Sequence, residues 1–90
     1  MTLGKFADYL TNLIGYDKLL PMNSGVEADE SACKMARRWG YRVKGIPDDE
    51  AVIFFPTGNF WGRSITASGA CDDPTRYHQL GPFTAGFELF

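Results

Sequence analysis

Two groups of residues in this 90-residue sequence could bind a small anionic ligand. The first is Ser24-Gly25-Val26, at the predicted start of a helix, where free backbone N–H groups and the positive end of the helix dipole favour a phosphate. Gly25 has no Cβ, so an anion could approach the backbone closely. The same residues also suit an ordinary capped helix, and the local pattern alone favours that simpler interpretation. The sequence has no P-loop lysine motif and no G-x-G-x-x-G, so a nucleotide site is poorly supported.

The second group is Phe60, Trp61 and Arg63, in a predicted loop that follows an apolar strand. A flat ring there could cover a planar cofactor, and the Arg63 guanidinium could bind a substrate carboxylate through paired hydrogen bonds. Taken singly, each residue has a simpler interpretation, as a core aromatic or a solvated arginine. Ligands of open α/β sheets collect where the strands end, so two such groups at one sheet edge favour a binding site.

Helical periodicity predicts two helices, over residues 3–14 and 24–44. Ser24 and Glu27 have the spacing of a capping box, which places the second helix start at Ser24. Gly40 is expected to interrupt or end this helix early, and Gly45 to end it. The apolar face of the second helix is expected to consist of Ala28, Ala32, Met35, Ala36, Trp39 and Val43.

Short apolar runs predict strands at residues 18–22 and 51–55, one on each side of the second helix. Strand, helix, strand is a βαβ unit, which implies a mainly parallel sheet and an α/β fold. The run at 51–55 is apolar throughout, so we expect its strand to be covered on both faces. A short helix is expected at about 64–68. No turn or cap follows Phe90, and we therefore expect the chain to be part of a larger domain.

Residues 70–86 are expected to form an extended surface segment, and residues 86–90 to enter a further strand. The net charge of −2 and the pI of about 5.2 give no general attraction to nucleic acid or to an anionic membrane. No apolar run is long enough to cross a bilayer. Cys33 and Cys71 fit no metal-ligand spacing, so neither a metal site nor a disulfide is expected.

Four segments, at residues 15–28, 34–41, 58–63 and 81–83, resemble the class III pyridoxal-phosphate-dependent aminotransferases of the ornithine aminotransferase type. The resemblance runs through nearly the whole chain, in order. It implies the fold-type I architecture of that family, whose members are several times longer. Residues 1–90 would then be part of the large, cofactor-binding domain, with no complete domain boundary inside the chain.

The resemblance also implies roles for individual residues. Gly25 and Val26, with Ser24 beside them, match the positions whose backbone amides hold the phosphate of pyridoxal 5′-phosphate. Phe60 matches the ring that stacks on the pyridine. Trp61 matches an aromatic residue of the substrate pocket, and Arg63 matches the arginine that binds a substrate carboxylate. Tryptophan at 61 favours ornithine aminotransferases over their acetylornithine relatives, which usually have histidine there.

The family's Schiff-base lysine is not matched in this sequence. Lys5, Lys18, Lys34 and Lys44 lie in unrelated contexts, so no residue is assigned to catalysis and this chain alone is predicted to be inactive. The implied parent activity is transfer of the δ-amino group of ornithine to 2-oxoglutarate, in a homodimer of the mitochondrial matrix or the cytoplasm. Two alternatives remain open, a class III enzyme for acetylornithine or another ω-amine, and a non-catalytic module that binds a phosphate-bearing ligand.

Overall fold

The computed structural model describes residues 2–90 and has an α/β architecture. Its two strands pair in parallel, with Ile53 opposite Phe87 and Phe55 opposite Leu89. The predicted fold class is therefore confirmed. The elements in chain order are helix α1 (Leu3–Ile14), helix α2 (Gly25–Trp39), a π-helical segment (Gly40–Lys44), strand β1 (Ile53–Phe55), helix α3 (Ile65–Gly69), helix α4 (Pro74–Tyr77) and strand β2 (Phe87–Leu89).

Local capping chemistry fixes the ends of the two long helices. Ser24 caps α2, where its Oγ accepts a hydrogen bond from the Glu27 N–H at 3.3 Å. The Glu27 carboxylate accepts from the Ser24 hydroxyl at 3.1 Å, so it does not return to the Ser24 N–H as a full capping box would. The α-helical hydrogen bonding gives way to a π-helical segment at Gly40, and Gly45, with φ +83°, ends it.

The strand predicted at residues 18–22 is wrong. Residues 17–23 form neither helix nor strand, and within residues 2–90 their backbone makes no hydrogen bond to another segment. A strand requires a partner, and Pro21 has no N–H to offer one. The βαβ unit instead runs from β1 through α3 and α4 to β2. Helix α4 was also missed by the sequence prediction, although an Asp73 cap before Pro74 is a strong start signal.

Helix α2 packs on the sheet through its polar side. The Arg37 guanidinium lies 4.9 Å from the centre of the Phe87 ring and donates to the Ala85 carbonyl. The Tyr41 hydroxyl accepts from the Ala51 N–H at 3.2 Å. The predicted apolar face points away from this contact, with Met35, Trp39 and Val43 at 66%, 56% and 70% exposure.

Within residues 2–90, only small side chains are buried. Ala51, Ala67, Ala70 and Cys71 form the buried core, beside the start of β1 and around α3. Phe54 is 57% exposed, so the expectation that its strand is covered on both faces is wrong for this chain. The radius of gyration is 15.7 Å, whereas a compact domain of this length has about 12 Å. The molecule is therefore open, with apolar faces that its own residues do not cover.

Candidate functional site

The start of α2 presents unused hydrogen-bond donors. The Glu27 N–H bonds the Ser24 hydroxyl and the Ala28 N–H bonds the Ser24 carbonyl. Within residues 2–90, the N–H groups of Gly25 and Val26 have no acceptor. A Cβ placed on Gly25 would meet no atom within 4 Å, so the space beside the Gly25 backbone is open. The helix start therefore suits an anion such as a phosphate.

The loop after β1 lies against this helix start. Together they line an open cleft of about 470 Å³, within the usual range for small-ligand sites. The structure brings all six predicted site residues into this one cleft. The lining residues are Ser24, Gly25, Val26, Asp29, Phe60, Trp61, Gly62 and Arg63.

Gly62 lies where the loop contacts the start of α2. The sequence prediction did not name it as a site residue. A Cβ on Gly62 would lie 2.5 Å from both Cβ and Cγ2 of Val26, much closer than real contacts allow. Its φ of +154° is also one that L side chains rarely adopt. Only glycine can bring the loop this close to α2. The sequence signal for this contact was a glycine two residues after the aromatic Phe60.

The two aromatic residues of the loop have different surroundings. Phe60 is 58% exposed, and the guanidinium carbon of Arg76 lies 4.8 Å from its ring centre. Trp61 is half-buried and stacks on Phe55 of β1, with ring centres 5.2 Å apart and planes 14° apart. Its indole Nε1 is buried without an acceptor in the described residues. Phe60 thus offers an open ring to the cleft, whereas Trp61 anchors the loop to the sheet.

Side chains outside the cleft hold the loop in place. The Asn59 amide donates to the Pro56 carbonyl at 2.8 Å and to the Ala70 carbonyl at 2.7 Å. Asp72 accepts from the Gly58 N–H at 3.0 Å. The sequence prediction did not identify these positioning residues, because the segment that contains Asp72 was expected to be an extended surface stretch.

The charged residues of the cleft are few. Arg63 is exposed, and no carboxylate of residues 2–90 lies within ion-pair distance of it, so its guanidinium is available to an anionic ligand. Asp29, which the prediction did not include, is a half-buried carboxylate on the same wall as Val26. None of the lysines of the chain lines the cleft. The cleft thus presents donors of the kind that suit a phosphate and a carboxylate, but none of its lining residues has an amine for covalent chemistry with an aldehyde.

A second cleft, of about 740 Å³, lies along the C-terminal half of α2. Its arginines and lysine occupy the end of the helix where the dipole favours positive charge, so they need no ligand to explain them. Both cysteines are free, and burial raises the pKa of the Cys33 thiol. Within residues 2–90 there is no cluster of potential metal ligands, and no helix is both long and apolar enough to cross a membrane. The residues lining the second cleft are Lys34, Met35, Arg37, Arg38, Tyr41, Arg42 and Asp48.

An α/β fold whose helix start and following loop form an anion-binding cleft is typical of enzymes that bind phosphorylated cofactors. A sequence profile of the class III aminotransferases matches residues 1–90. The chain belongs to that family.

Three relatives show how similar this chain is to individual members of the family. The mitochondrial ornithine aminotransferase of Rattus norvegicus is 57% identical over 86 residues, which is 96% of this chain and 20% of the rat protein. The crystal structure of the Toxoplasma gondii ornithine aminotransferase superposes with a TM-score of 0.92 at 46% identity, over 97% of this chain and 21% of that one. An acetylornithine aminotransferase from Elizabethkingia anophelis gives 0.64 at 34% identity, over 100% and 17%. This chain spans about a fifth of the length of the curated relatives it matches.

Proposed function

We propose that residues 1–90 are part of the large domain of an ornithine aminotransferase. The whole protein would transfer the δ-amino group of ornithine to 2-oxoglutarate with pyridoxal 5′-phosphate. The observation that carries this proposal is the shared cleft between the start of α2 and the Phe60–Arg63 loop. The higher identity to the rat and Toxoplasma gondii ornithine aminotransferases than to the acetylornithine enzyme, and the closer superposition on the Toxoplasma gondii structure, support the choice of substrate.

Each of the six predicted site residues has a part in this proposal. The N–H groups of Gly25 and Val26, beside Ser24, bind the cofactor phosphate, and Phe60 stacks on the cofactor ring. Arg63 binds a substrate carboxylate, and Trp61 lines the substrate pocket. When bound, the cofactor supplies an aldehyde and an electron-withdrawing ring that carry the amino group between substrates. The lysine that bonds to the cofactor would come from another part of the protein, so this chain alone is inactive.

Binding by this chain alone is expected to be weak. A phosphate at a helix start contributes at most about 2 kcal/mol and ring stacking about 1.5 kcal/mol, whereas micromolar affinity requires about 8 kcal/mol. Millimolar affinity is therefore expected. The exposed apolar faces of α1, α2 and β1 would be covered by other parts of the whole protein, which we propose is a homodimer of the mitochondrial matrix or the cytoplasm.

The phosphate contact can be tested by NMR titration of the chain with pyridoxamine 5′-phosphate and, as the matched ligand, pyridoxamine. We expect the amide signals of Gly25 and Val26 to shift only with the phosphorylated ligand. Gly25→Pro removes one donor at a helix position that tolerates proline and should weaken the ligand-dependent shift of the Val26 amide while α2 remains helical. Equal shifts with both ligands would contradict the phosphate site.

The parent activity requires a separate test. The reading frame beyond the Phe90 codon should encode a lysine in the family's context, and a longer product should consume ornithine in preference to acetylornithine when 2-oxoglutarate is the acceptor. Preference for acetylornithine would favour the other class III enzyme. A cooperatively folding, monodisperse 90-residue protein without transaminase activity in any longer form would favour the non-catalytic module.

A further inference from the structure

Arg76 of helix α4 is held by contacts on three sides of its side chain. Its Nη1 donates to the Asn59 carbonyl at 3.2 Å, and its Nε lies 3.5 Å from Oδ2 of Asp73. Its guanidinium carbon lies 4.8 Å from the centre of the Phe60 ring. A guanidinium this close to an aromatic ring is attracted to its electron-rich face. Arg76 therefore links α4 to the residue before the ring and to the ring itself.

The Arg76 guanidinium contacts the Phe60 ring from a position that does not line the cleft. Phe60 lines the cleft and Arg76 does not. Arg76 thus covers the ring from outside the cleft, while Phe60 remains 58% exposed. One face of the ring is thus covered by a cation, and the same ring lines the cleft.

The support for Arg76 is itself fixed. Asp73 caps α4 and accepts from both the N–H and the hydroxyl of Thr75, at 3.0 Å and 2.8 Å. Those hydrogen bonds also lower the pKa of the Asp73 carboxyl, because they favour its charged form. Asn59 is held in turn by the carbonyls of Pro56 and Ala70. Asn59 is therefore tied to the buried Ala70, and Asp73 is held within the first turn of α4.

We propose that Arg76 is a positioning residue that holds the Phe60 ring from behind, so that its free face is ready to stack on a flat, phosphorylated aromatic ligand in the cleft. This inference rests on the proposed function for the identity of the ligand. An exposed aromatic side chain would otherwise lose rotamer freedom on binding, and ordering it beforehand removes that cost. The expected contribution is roughly a three- to tenfold gain in ligand affinity.

The test begins with the free chain, by NMR. In the wild type we expect the Arg76 side-chain protons to be shifted upfield by the Phe60 ring, and the Phe60 χ1 coupling constants to show one dominant rotamer. Phe60→Leu should abolish the upfield shift. Arg76→Gln should broaden the Phe60 rotamer distribution, while Arg38→Gln, which removes an arginine from the far side of α2, should leave it unchanged. An unchanged distribution in Arg76→Gln would overturn the proposal whether or not any ligand binds.

The second arm measures affinity for pyridoxamine 5′-phosphate by chemical-shift titration. Arg76→Gln should raise the dissociation constant three- to tenfold, Arg76→Lys should restore part of the loss because it keeps the cation, and Arg38→Gln should match the wild type. Equal affinity of Arg76→Gln and wild type would also overturn the proposal. Failure of the wild type to bind the probe, with the ring contact present in the free chain, would instead contradict the proposed function of the cleft.

Discussion

The cleft and the residues that support it differ in how many of their polar groups have a hydrogen-bond partner within the protein. In the cleft, the amides of Gly25 and Val26 and the guanidinium of Arg63 have no partner within residues 2–90. The support, which consists of Asn59, Ala67, residues 70–73 and Arg76, contains three of the four core residues and most of the hydrogen bonds that position the loop. The loop that carries Arg63 is thus held by residues that do not line the cleft.

The largest effect is expected from Gly62→Ala, which forces apart the two walls of the cleft. The new Cβ would collide with a stiff valine at 2.5 Å, and overpacking of this kind costs about 1–3 kcal/mol. We expect the loop to move away from α2, with lower stability in urea unfolding followed by tryptophan fluorescence and with loss of pyridoxamine 5′-phosphate binding.

Gly58→Ala is the matched control for Gly62→Ala. Gly58 also has a positive φ, +77°, but a Cβ there would meet nothing within 4 Å. Only backbone strain of about 1 kcal/mol is expected, with binding retained. If the two variants behave alike, close packing of Gly62 on Val26 does not shape the cleft.

Asn59→Ala acts on the support alone. It removes two hydrogen bonds of 2.8 and 2.7 Å, one of them to the carbonyl of the buried Ala70, so we expect a loss of about 1–3 kcal/mol in the free energy of unfolding. Asn59→Asp should be no better, since a carboxylate cannot donate to those carbonyls. Asn12→Ala, on exposed α1, serves as control and should change stability by less than about 0.5 kcal/mol. Equal losses at Asn59 and Asn12 would argue against a special role for the support.

Acid should weaken the Asp73 cap of helix α4, which belongs to the support. The pKa of Asp73 in the folded chain is lowered from 3.8 by the hydrogen bonds from Thr75. Because the folded pKa lies below the unfolded one, this capping contribution is fully present above 3.8 and is lost as the pH falls through the folded value. The Thr75 amide shift, followed from about pH 5 to 2, should report the loss. Asp73→Asn should remove that titration, and its persistence would assign it to another group.

The smallest effect on stability is expected from Arg63→Gln, which changes the cleft without touching the support. Arg63 is exposed and unpaired within residues 2–90, so unfolding should change by less than about 0.5 kcal/mol. Binding of 2-oxoglutarate, followed by chemical shifts of the loop, should nevertheless weaken several-fold, while Arg38→Gln should not alter it. Destabilisation as large as that of Asn59→Ala would show that Arg63 belongs to the support.

Local signals in the sequence predicted the helices well. Capping by Ser24, the break at Gly40 and the stop at Gly45 each depend on one residue and its near neighbours along the chain. The strand at 18–22 failed, because an apolar run becomes a strand only when another segment pairs with it. Helix α4 was missed although its Asp73-Pro74 start is a local signal. The glycines and prolines around it are more typical of a loop, so the sequence pattern predicted an extended segment there.

By itself, the sequence determined the helix ends, the parallel α/β class and the residue types that could bind a phosphate, a flat ring and a carboxylate. Only the tertiary structure decided that Val26 and Gly62 touch, that Asn59 and Arg76 hold the loop from behind, and that the apolar face of α2 stays exposed. The physical reason is the separation along the chain between the residues that interact. Caps and helical periodicity involve residues three or four positions apart, whereas the cleft depends on contacts across tens of residues that no local pattern specifies.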